Sequence, residues 1–137
     1  MERDSAFAVG TQATPEDIDA IARSSVDYIE AWYTGDGERI EGCLHPELAK
    51  RAVDSDPRTG ARTLHHLDAR TMVASTREGR GTKTPPADRT HQVSILDVFR
   101  NIACVKVVSH PYVDYLHLGK FNQRWLIVNV LWERRQP

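Results

Sequence analysis

The last third of the chain predicts four consecutive β-strands with almost nothing between them. From His91 the apolar residues recur with a period of two, as they do in strands that turn one face to a core. The predicted turns are Arg100-Asn101, His110-Pro111 and Asn122-Gln123. A two-residue turn at Asn122-Gln123 would pair Phe121 with Arg124 and form the last hairpin. Because both faces of the predicted sheet are apolar, each must be covered, and we expect helices on one of them.

The first half of the chain predicts those helices. Thr14 is a hydroxyl N-cap, Pro15 follows it, and the acidic residues Glu16 and Asp17 suit the positive end of a helix dipole. Gly35 is a natural left-handed C-cap for this helix. Its apolar stripe, at spacings of three and four, consists of Ile18, Ile21, Ala22, Ser25, Tyr28, Ile29 and Trp32. This helix should lie on the sheet.

Smaller elements are predicted to follow the first helix. A short turn of helix covers Glu38 to Gly42, and a second one opens at His45-Pro46. Asp54 to Arg62 is expected to be a loop because it is rich in Asp, Pro and Gly.

A further helix is predicted before the strands begin. Asp68 would cap it, Leu67 would pack against Met72 as a hydrophobic staple, and Gly79 would end it. Residues 79–90 should form a solvated loop because they contain two glycines and a Pro-Pro pair.

Composition excludes several classes of partner. The net charge is −1 with no long run of one sign, so we expect no nucleic-acid partner. No stretch approaches the ~20 apolar residues that cross a bilayer, and residues 1–14 lack a basic segment followed by an apolar one. We therefore expect no membrane partner and a cytoplasmic location. The sequence predicts a single domain over residues 1–137, which includes an N-terminal tail at residues 1–13.

Residue spacing gives no support for a metal or a cofactor. Cys43 and Cys104 are the only cysteines, 61 positions apart, and we expect both to be reduced and buried. His65-His66 is the pair that most resembles a metal site, but adjacent side chains diverge and no third ligand follows at a useful spacing. We therefore predict no metal and no cofactor.

Several segments together resemble a known superfamily. They are Tyr28 to Asp36 (YIEAWYTGD), Leu44-His45-Pro46, Tyr112 to Leu118 (YVDYLHL) and Trp125 to Val128 (WLIV). With three helical pieces before a four-stranded antiparallel meander, the chain resembles the nuclear-transport-factor-like superfamily, and within it the putative lumazine-binding group. The resemblance covers nearly the whole chain.

The resemblance implies an α+β, cone-shaped, cystatin-like fold. Its N-terminal helices would pack on a curved antiparallel sheet of about four to six strands, with a pocket at the wide end of the cone. It also implies a homodimer that uses the outer face of the sheet, which would supply the second cover.

The same superfamily includes ketosteroid isomerase, and one position can be compared directly. Tyr28 occupies the place on the first helix of the tyrosine that donates to the oxyanion in that enzyme. The catalytic base of the isomerase would fall near Ala52, where this sequence has no acid, although Asp54 and Asp56 are close by.

Asp114 is the main chemical candidate in the strands. Alternation places it on one face with Leu116, Leu118, Trp125, Ile127 and Asn129. A carboxylate among such neighbours loses solvation and its pKa rises, which would suit a general base near pH 7, whereas at a strand end it would be solvated or paired. The same argument applies to Asp97. A buried Asn129 would pair with Asp114 or a neighbouring strand, or face a ligand.

We therefore expect a pocket for a small, largely apolar or aromatic molecule, bound without catalysis or with weak catalysis. Its predicted ligand-binding residues are Tyr28, Trp32, Met72, Asp97, Asp114, Trp125 and Asn129. One alternative is an isomerase, dehydratase or cyclase of the ketosteroid isomerase type, with Asp114 or Asp97 moving a proton and Tyr28 stabilising an oxyanion. Another is a dimerisation module whose cone is filled by its own side chains.

Overall fold

The structure, a computed structural model, describes residues 13–136 and contains three α-helices packed on a six-stranded sheet. The predicted N-terminal tail lies, except for its last residue, outside the described residues. The helices are α1 (Pro15–Thr34), α2 (Gly37–Cys43) and α3 (Ala69–Arg77). The strands are β1 (Leu44–Ser55), β2 (Arg62–Leu67), β3 (His91–Phe99), β4 (Ile102–Ser109), β5 (Tyr112–Phe121) and β6 (Arg124–Arg134).

The strand order is β2-β1-β6-β5-β4-β3, and every neighbouring pair is antiparallel except β1 and β6, which are parallel. The predicted α+β architecture is confirmed. The predicted antiparallel sheet of four to six strands is present with one parallel pair, because β1 joins the C-terminal meander alongside its last strand in the parallel sense.

Helix α1 has the predicted ends and the predicted buried face. The Thr14 side chain accepts a hydrogen bond from the Asp17 backbone N–H at 3.1 Å, and Gly35 closes the helix at φ 76°. Of the stripe, Ile21, Ser25, Tyr28 and Ile29 are buried. The helix therefore lies on the sheet with its long side chains in the core.

The short helix predicted at His45-Pro46 is wrong, because this segment opens strand β1. Residues Leu48, Lys50 and Ala52 are buried at alternate positions, and β2 and β6 take the hydrogen bonds on the two sides of the strand. The predicted loop at Asp54 to Arg62 shrinks to the turn of the β1–β2 hairpin.

Helix α3 also begins where predicted, since Asp68 accepts a hydrogen bond from the Thr71 backbone N–H at 2.8 Å. Residues 79–90 are more structured than a solvated loop, with two short 3-10 helices at Arg80–Lys83 and Pro86–Asp88. Gly81 is buried so close to the backbone carbonyl of Trp32 that a β-carbon would collide with it. This segment therefore packs on the C-terminal end of α1.

The last hairpin turns at Asn122-Gln123 and pairs Phe121 with Arg124, as predicted. The φ angles of 49° and 69° are those of a type I′ turn. Two irregularities break the alternation in the antiparallel part of the sheet, one at Leu96 in β3 and one at Val128 in β6. Each places one extra residue opposite its partner strand and reverses the facing of the residues beyond it.

Among residues 13–136, no helix combines the length and the apolar composition needed to cross a bilayer.

Candidate functional site

A cavity of about 370 Å³ lies between the inner face of the sheet and the helices. Its walls come from helices α1 and α3, from strands β1, β2, β5 and β6, and from the segment after α3. Its lining consists of Tyr28, Ile29, Trp32, Lys50, Leu67, Met72, Ser75, Arg80, Lys83, Tyr112, Asp114, Trp132 and Arg134. The dimerisation-module hypothesis required a cone filled by its own side chains. This cavity shows that the cone is not filled.

Three buried polar side chains meet in this cavity, and we call Tyr28, Lys50 and Asp114 the polar triad. The Lys50 ammonium donates a hydrogen bond to the Tyr28 hydroxyl at 2.6 Å. That hydroxyl donates in turn to Oδ1 of Asp114 over a long 3.4 Å. The three residues come from α1, β1 and β5, so the site exists only in the assembled fold.

Burial shifts the pKa of each member of the triad toward its uncharged form. Desolvation raises the pKa of Asp114 to about 6, although the Lys50 charge and the Tyr28 hydrogen bond oppose the rise. Desolvation lowers the pKa of Lys50 to about 8, against the attraction of Asp114. Burial, with the nearby Asp114 charge, raises the pKa of the Tyr28 hydroxyl well above its usual value.

One oxygen of the triad has no partner. Among the buried side-chain nitrogen and oxygen atoms of residues 13–136, Oδ2 of Asp114 is the one that makes no hydrogen bond. Leaving a buried carboxylate oxygen unsatisfied costs free energy. An acceptor in this position is suited to receive a hydrogen bond from a bound molecule.

Aromatic rings surround the ammonium of Lys50. Its Nζ lies 5.0 Å from the centroid of the Tyr28 ring, 5.8 Å from that of Trp32 and 5.4 Å from that of Trp132. These distances are within the range of cation–π attraction. The Sδ of Met72 lies 3.4 Å from the same nitrogen. The cavity thus has apolar, flat walls around a polar floor.

The open end of the cavity is basic. Arg80, Lys83 and Arg134 line it and are exposed. The Arg134 guanidinium stacks 5.5 Å from the Trp132 ring, while Arg80 pairs with Glu78 at 3.3 Å. With Lys50, the lining carries four cationic side chains and the single carboxylate of Asp114. This charge balance favours an anionic ligand.

The structure brings four of the predicted ligand-binding residues together in this cavity: Tyr28, Trp32, Met72 and Asp114. Trp125 is not among them. It is buried near the start of α1, where its indole N–H donates to Oδ1 of Asp17 at 3.0 Å, so it is a core residue.

Asp97 and Asn129 are on the wrong face for the predicted pocket. Simple alternation places them inward, but the bulges at Leu96 and Val128 turn both to the outer face of the sheet. The Asn129 amide approaches Nδ1 of His117 at 3.3 Å, so it does not pair with Asp114.

Lys50 is the main residue that sequence reasoning missed. It lies two positions before Ala52, the position compared with the isomerase base, and strand alternation puts both residues on the inner face. The alternating Leu48, Lys50 and Ala52 could have revealed it, had the segment been read as a strand. Asp54 and Asp56 do not line the cavity.

A larger concavity of about 600 Å³ lies on the outer face of the sheet. It contains Asp97 and Asn129 among mainly apolar side chains, and none of its titratable groups is buried. The inner cavity is therefore the better candidate for chemistry.

The residues that could hold a metal are not grouped. His65 and His66 are exposed on β2, and residues 13–136 contain no cluster of three His, Cys, Asp or Glu side chains fit for an ion. Cys43 is buried and Cys104 partly exposed, and both are free thiols.

Comparison with solved structures places the fold among known relatives. An NTF2-like protein of unknown function from Silicibacter pomeroyi is 19% identical, with a TM-score of 0.68 over 90% of this chain and 99% of that one. A cystatin-like fold domain from Nostoc punctiforme is 16% identical, with a TM-score of 0.61 over 91% and 81%. A ketosteroid isomerase-like protein from Erwinia carotovora atroseptica is 11% identical, with a TM-score of 0.56 over 90% and 100%. At these identities the similarity shows the fold alone.

No protein with a curated description matches the chain significantly. A family model described as putative lumazine-binding matches residues 16–133, which include every element of the structure from α1 through most of β6. The chain therefore belongs to the putative lumazine-binding family.

Proposed function

We propose that the protein binds a small aromatic molecule in the inner cavity, and that this molecule carries a hydrogen-bond donor at one end and an acidic group at the other. The unpaired Oδ2 of Asp114 is the observation that carries the proposal, since a donor on the ligand would satisfy it. The donor would lie at the floor of the cavity. The acidic group would lie at the mouth, between the basic side chains Arg80, Lys83 and Arg134.

The aromatic preference rests on the shape and chemistry of the walls. Trp32, Trp132 and Tyr112 line the cavity, and the Tyr112 and Trp132 rings meet edge-on with centroids 4.8 Å apart. Flat side chains of this kind offer stacking surfaces to a planar ligand. A cavity of about 370 Å³ falls within the range of small-molecule sites, roughly 300–1,000 Å³.

A pair of ligands tests the proposal. The first, 6-hydroxy-2-naphthoate, has a hydroxyl donor opposite its carboxylate, and the second, 2-naphthoate, lacks the hydroxyl. Calorimetry should show that the hydroxyl raises affinity roughly ten- to a hundredfold, because a hydrogen bond to a charged group contributes about 1.5–3 kcal/mol. The gain should disappear in Asp114→Asn, whose amide carries no charge.

Asp97→Asn is the matched control, because it removes a carboxylate from the exposed outer face. It should keep the hydroxyl preference in full. Equal affinity of the two naphthoates for the unmutated protein would refute the assigned role of Asp114. Failure of either compound to bind at millimolar concentration would refute the choice of ligand class.

Catalysis is a second candidate function, favoured by the same carboxylate. A desolvated Asp114 with a pKa near 6 can accept and return a proton near neutral pH, and Tyr28 lies within reach to polarise a carbonyl. A carboxylate base and a hydroxyl group that polarises the carbonyl are the two roles expected in an isomerase, dehydratase or cyclase of the ketosteroid isomerase type.

Exchange of a carbon-bound proton tests catalysis directly. In deuterated buffer, the protein should speed deuterium uptake at the carbon next to the carbonyl of 2-tetralone, followed by NMR. Asp114→Asn should abolish the effect, whereas Asp97→Asn should keep it. An unchanged rate in Asp114→Asn would exclude this carboxylate as the base.

We also propose a homodimer through the outer face of the sheet. Exposed apolar side chains cover this face, namely Leu96, Phe99, Ile102, Tyr115 and Leu131. Contiguous apolar surface of this kind typically marks an interface. A charge within this surface, Ile102→Glu, should yield monomers by light scattering, whereas Ala74→Glu on the exposed side of α3 should not change the mass. A monomeric unmutated protein at micromolar concentration would contradict the proposal.

A further inference from the structure

The binding function proposed above leaves the amine of Lys50 without a role. Lys50 is buried and lines the cavity. In the described part of the chain, no carboxylate oxygen lies within 4 Å of its nitrogen. Lysines in folded interiors are usually paired. The contacts of this nitrogen are instead the Tyr28 hydroxyl, the Met72 sulfur and three aromatic rings.

We propose that Lys50 forms a covalent imine with an aromatic aldehyde or ketone that enters the inner cavity. This inference rests on the proposed binding of a small aromatic molecule in the same cavity. A lysine amine surrounded by apolar side chains is a typical nucleophile for carbonyl compounds. The surrounding rings of Tyr28, Trp32 and Trp132 offer surfaces on which the ring of an aromatic carbonyl compound can stack.

The hydrogen bonds of the polar triad provide a path for the proton that must leave the ammonium. Lys50 donates to the Tyr28 hydroxyl, and that hydroxyl donates to Asp114. A proton can therefore pass from nitrogen to Asp114 through Tyr28, which leaves a neutral amine in the cavity. The carboxyl group of Asp114, now protonated, is an acid that can protonate the oxygen that departs from the carbonyl compound.

The step balances without an oxidant or a reductant. The lone pair of the amine forms a bond to the carbonyl carbon as the carbon–oxygen π bond breaks, and one of the two nitrogen-bound protons moves to the oxygen to give a carbinolamine. Asp114 gives its proton to the hydroxyl group, which leaves as water while the nitrogen lone pair forms the carbon–nitrogen double bond of a protonated imine. The proton that remains on this nitrogen can return to the Asp114 carboxylate, which leaves the neutral imine and restores Asp114.

The altered acidity of Lys50 supports this geometry. With a pKa of about 8, roughly one molecule in ten carries the free amine at pH 7. An ordinary lysine, with a pKa near 10.5, carries it in roughly one molecule in three thousand. Lys50 should therefore react well ahead of the other three lysines, Lys83, Lys106 and Lys120.

Reductive trapping tests the inference on the full chain. The protein is incubated with 2-naphthaldehyde and cyanoborohydride at pH 7, and the product is read by intact mass and peptide mapping. We expect a naphthylmethyl group on Lys50, which peptide mapping distinguishes from any label on the α-amino group, with at least about a tenfold preference over any other lysine given the free-amine fractions. Lys50→Arg and Lys50→Met should both lose this labelling, with folding checked by circular dichroism.

Lys106→Arg is the matched control, because Lys106 lies 5.9 Å from the Tyr115 ring on the outer face and so has an aromatic contact without the cavity. It should label as the unmutated protein does. Labelling spread evenly over the lysines would overturn the inference.

A non-reacting analogue separates the inference from the proposed function. The alcohol 2-naphthalenemethanol has the ring of the aldehyde and cannot form an imine. If the alcohol quenches the fluorescence of Trp32 and Trp132 but the aldehyde does not label Lys50, the imine is refuted and binding stands. If neither compound enters the cavity, the proposed binding of small aromatic molecules and the proposed imine are both refuted.

Discussion

Replacement of Asp114 by Asn should make the protein more stable at neutral pH while it removes the selective binding of a ligand donor. Asp114 is buried, and its pKa rises from 3.8 to about 6. Each pKa unit corresponds to about 1.4 kcal/mol, so ionisation of this group costs the folded state about 3 kcal/mol. Asn has nearly the same shape and carries no charge. We therefore expect a gain of about 3 kcal/mol in the free energy of unfolding at pH 7.

The pH dependence has a definite sign. Because the folded pKa is the higher one, the folded state retains a proton between pH 3.8 and about 6 that the unfolded state releases. The contribution of this protonated carboxyl group to folding stability is fully present below pH 3.8 and is lost as the pH rises through about 6. The variant has no such group. Its advantage over the unmutated protein should therefore be small near pH 4 and grow to about 3 kcal/mol by pH 7.

Urea denaturation between pH 4 and 8, followed by tryptophan fluorescence, measures this difference. The other titrating groups are present in both proteins. Their contributions therefore cancel when the two free energies of unfolding are subtracted. Asp97→Asn is again the control, and a surface change of this kind should alter stability by less than about 0.5 kcal/mol. If Asp114→Asn were less stable at pH 7, or its advantage were the same at pH 4.5 and pH 7, the desolvated carboxylate would be ruled out.

Three further predictions concern positions outside the polar triad. Gln123→Gly should stabilise the last hairpin by about 1 kcal/mol, because φ 69° suits glycine, and thermal unfolding measures it. Trp125→Phe should cost about 1–2 kcal/mol by removing the indole donor to Asp17, yet leave naphthoate affinity unchanged in calorimetry, since Trp125 does not line the cavity. Gly81→Ala should cost about 1–3 kcal/mol in urea titrations, because its β-carbon would collide with the Trp32 carbonyl. A neutral result for Gly81→Ala would show that the segment can move away from α1 at no cost.

The local signals of helix ends and turns were strong enough to predict much of the fold. The Thr14 and Asp68 caps, the Gly35 stop and the Asn122-Gln123 turn all act within a few residues, so the sequence alone displays them. The first strand was harder, because Lys50 interrupts its apolar alternation and Pro46 is a usual helix-start residue. Pairing with β2 on one side and with β6, far along the chain, on the other determines that this segment is extended.

The misplacement of Asp97 and Asn129 has a single physical origin. Strand alternation correctly predicted that Asp114 faces the helices. No bulge in β5 separates Asp114 from Leu116 and Leu118, which are buried on the same face. One extra residue at Leu96 and another at Val128 reversed the facing of Asp97 and Asn129. A bulge changes side-chain direction without a clear mark in composition, so a period-two pattern remains valid only up to the next bulge.

The parallel pairing of β1 with β6 has a consequence for how the protein is made. Lys50 is opposite Val130, a separation of 130 − 50 = 80 residues, so this ladder closes only when nearly the whole chain is available. Contacts so distant in sequence form slowly, because the intervening chain must first lose its freedom. During synthesis the ribosome must therefore release the C-terminal strand before Lys50 acquires its surroundings. Ligand-binding capacity should consequently arise last in folding, and shortening of the chain within β6 should remove it even where the earlier hairpins persist.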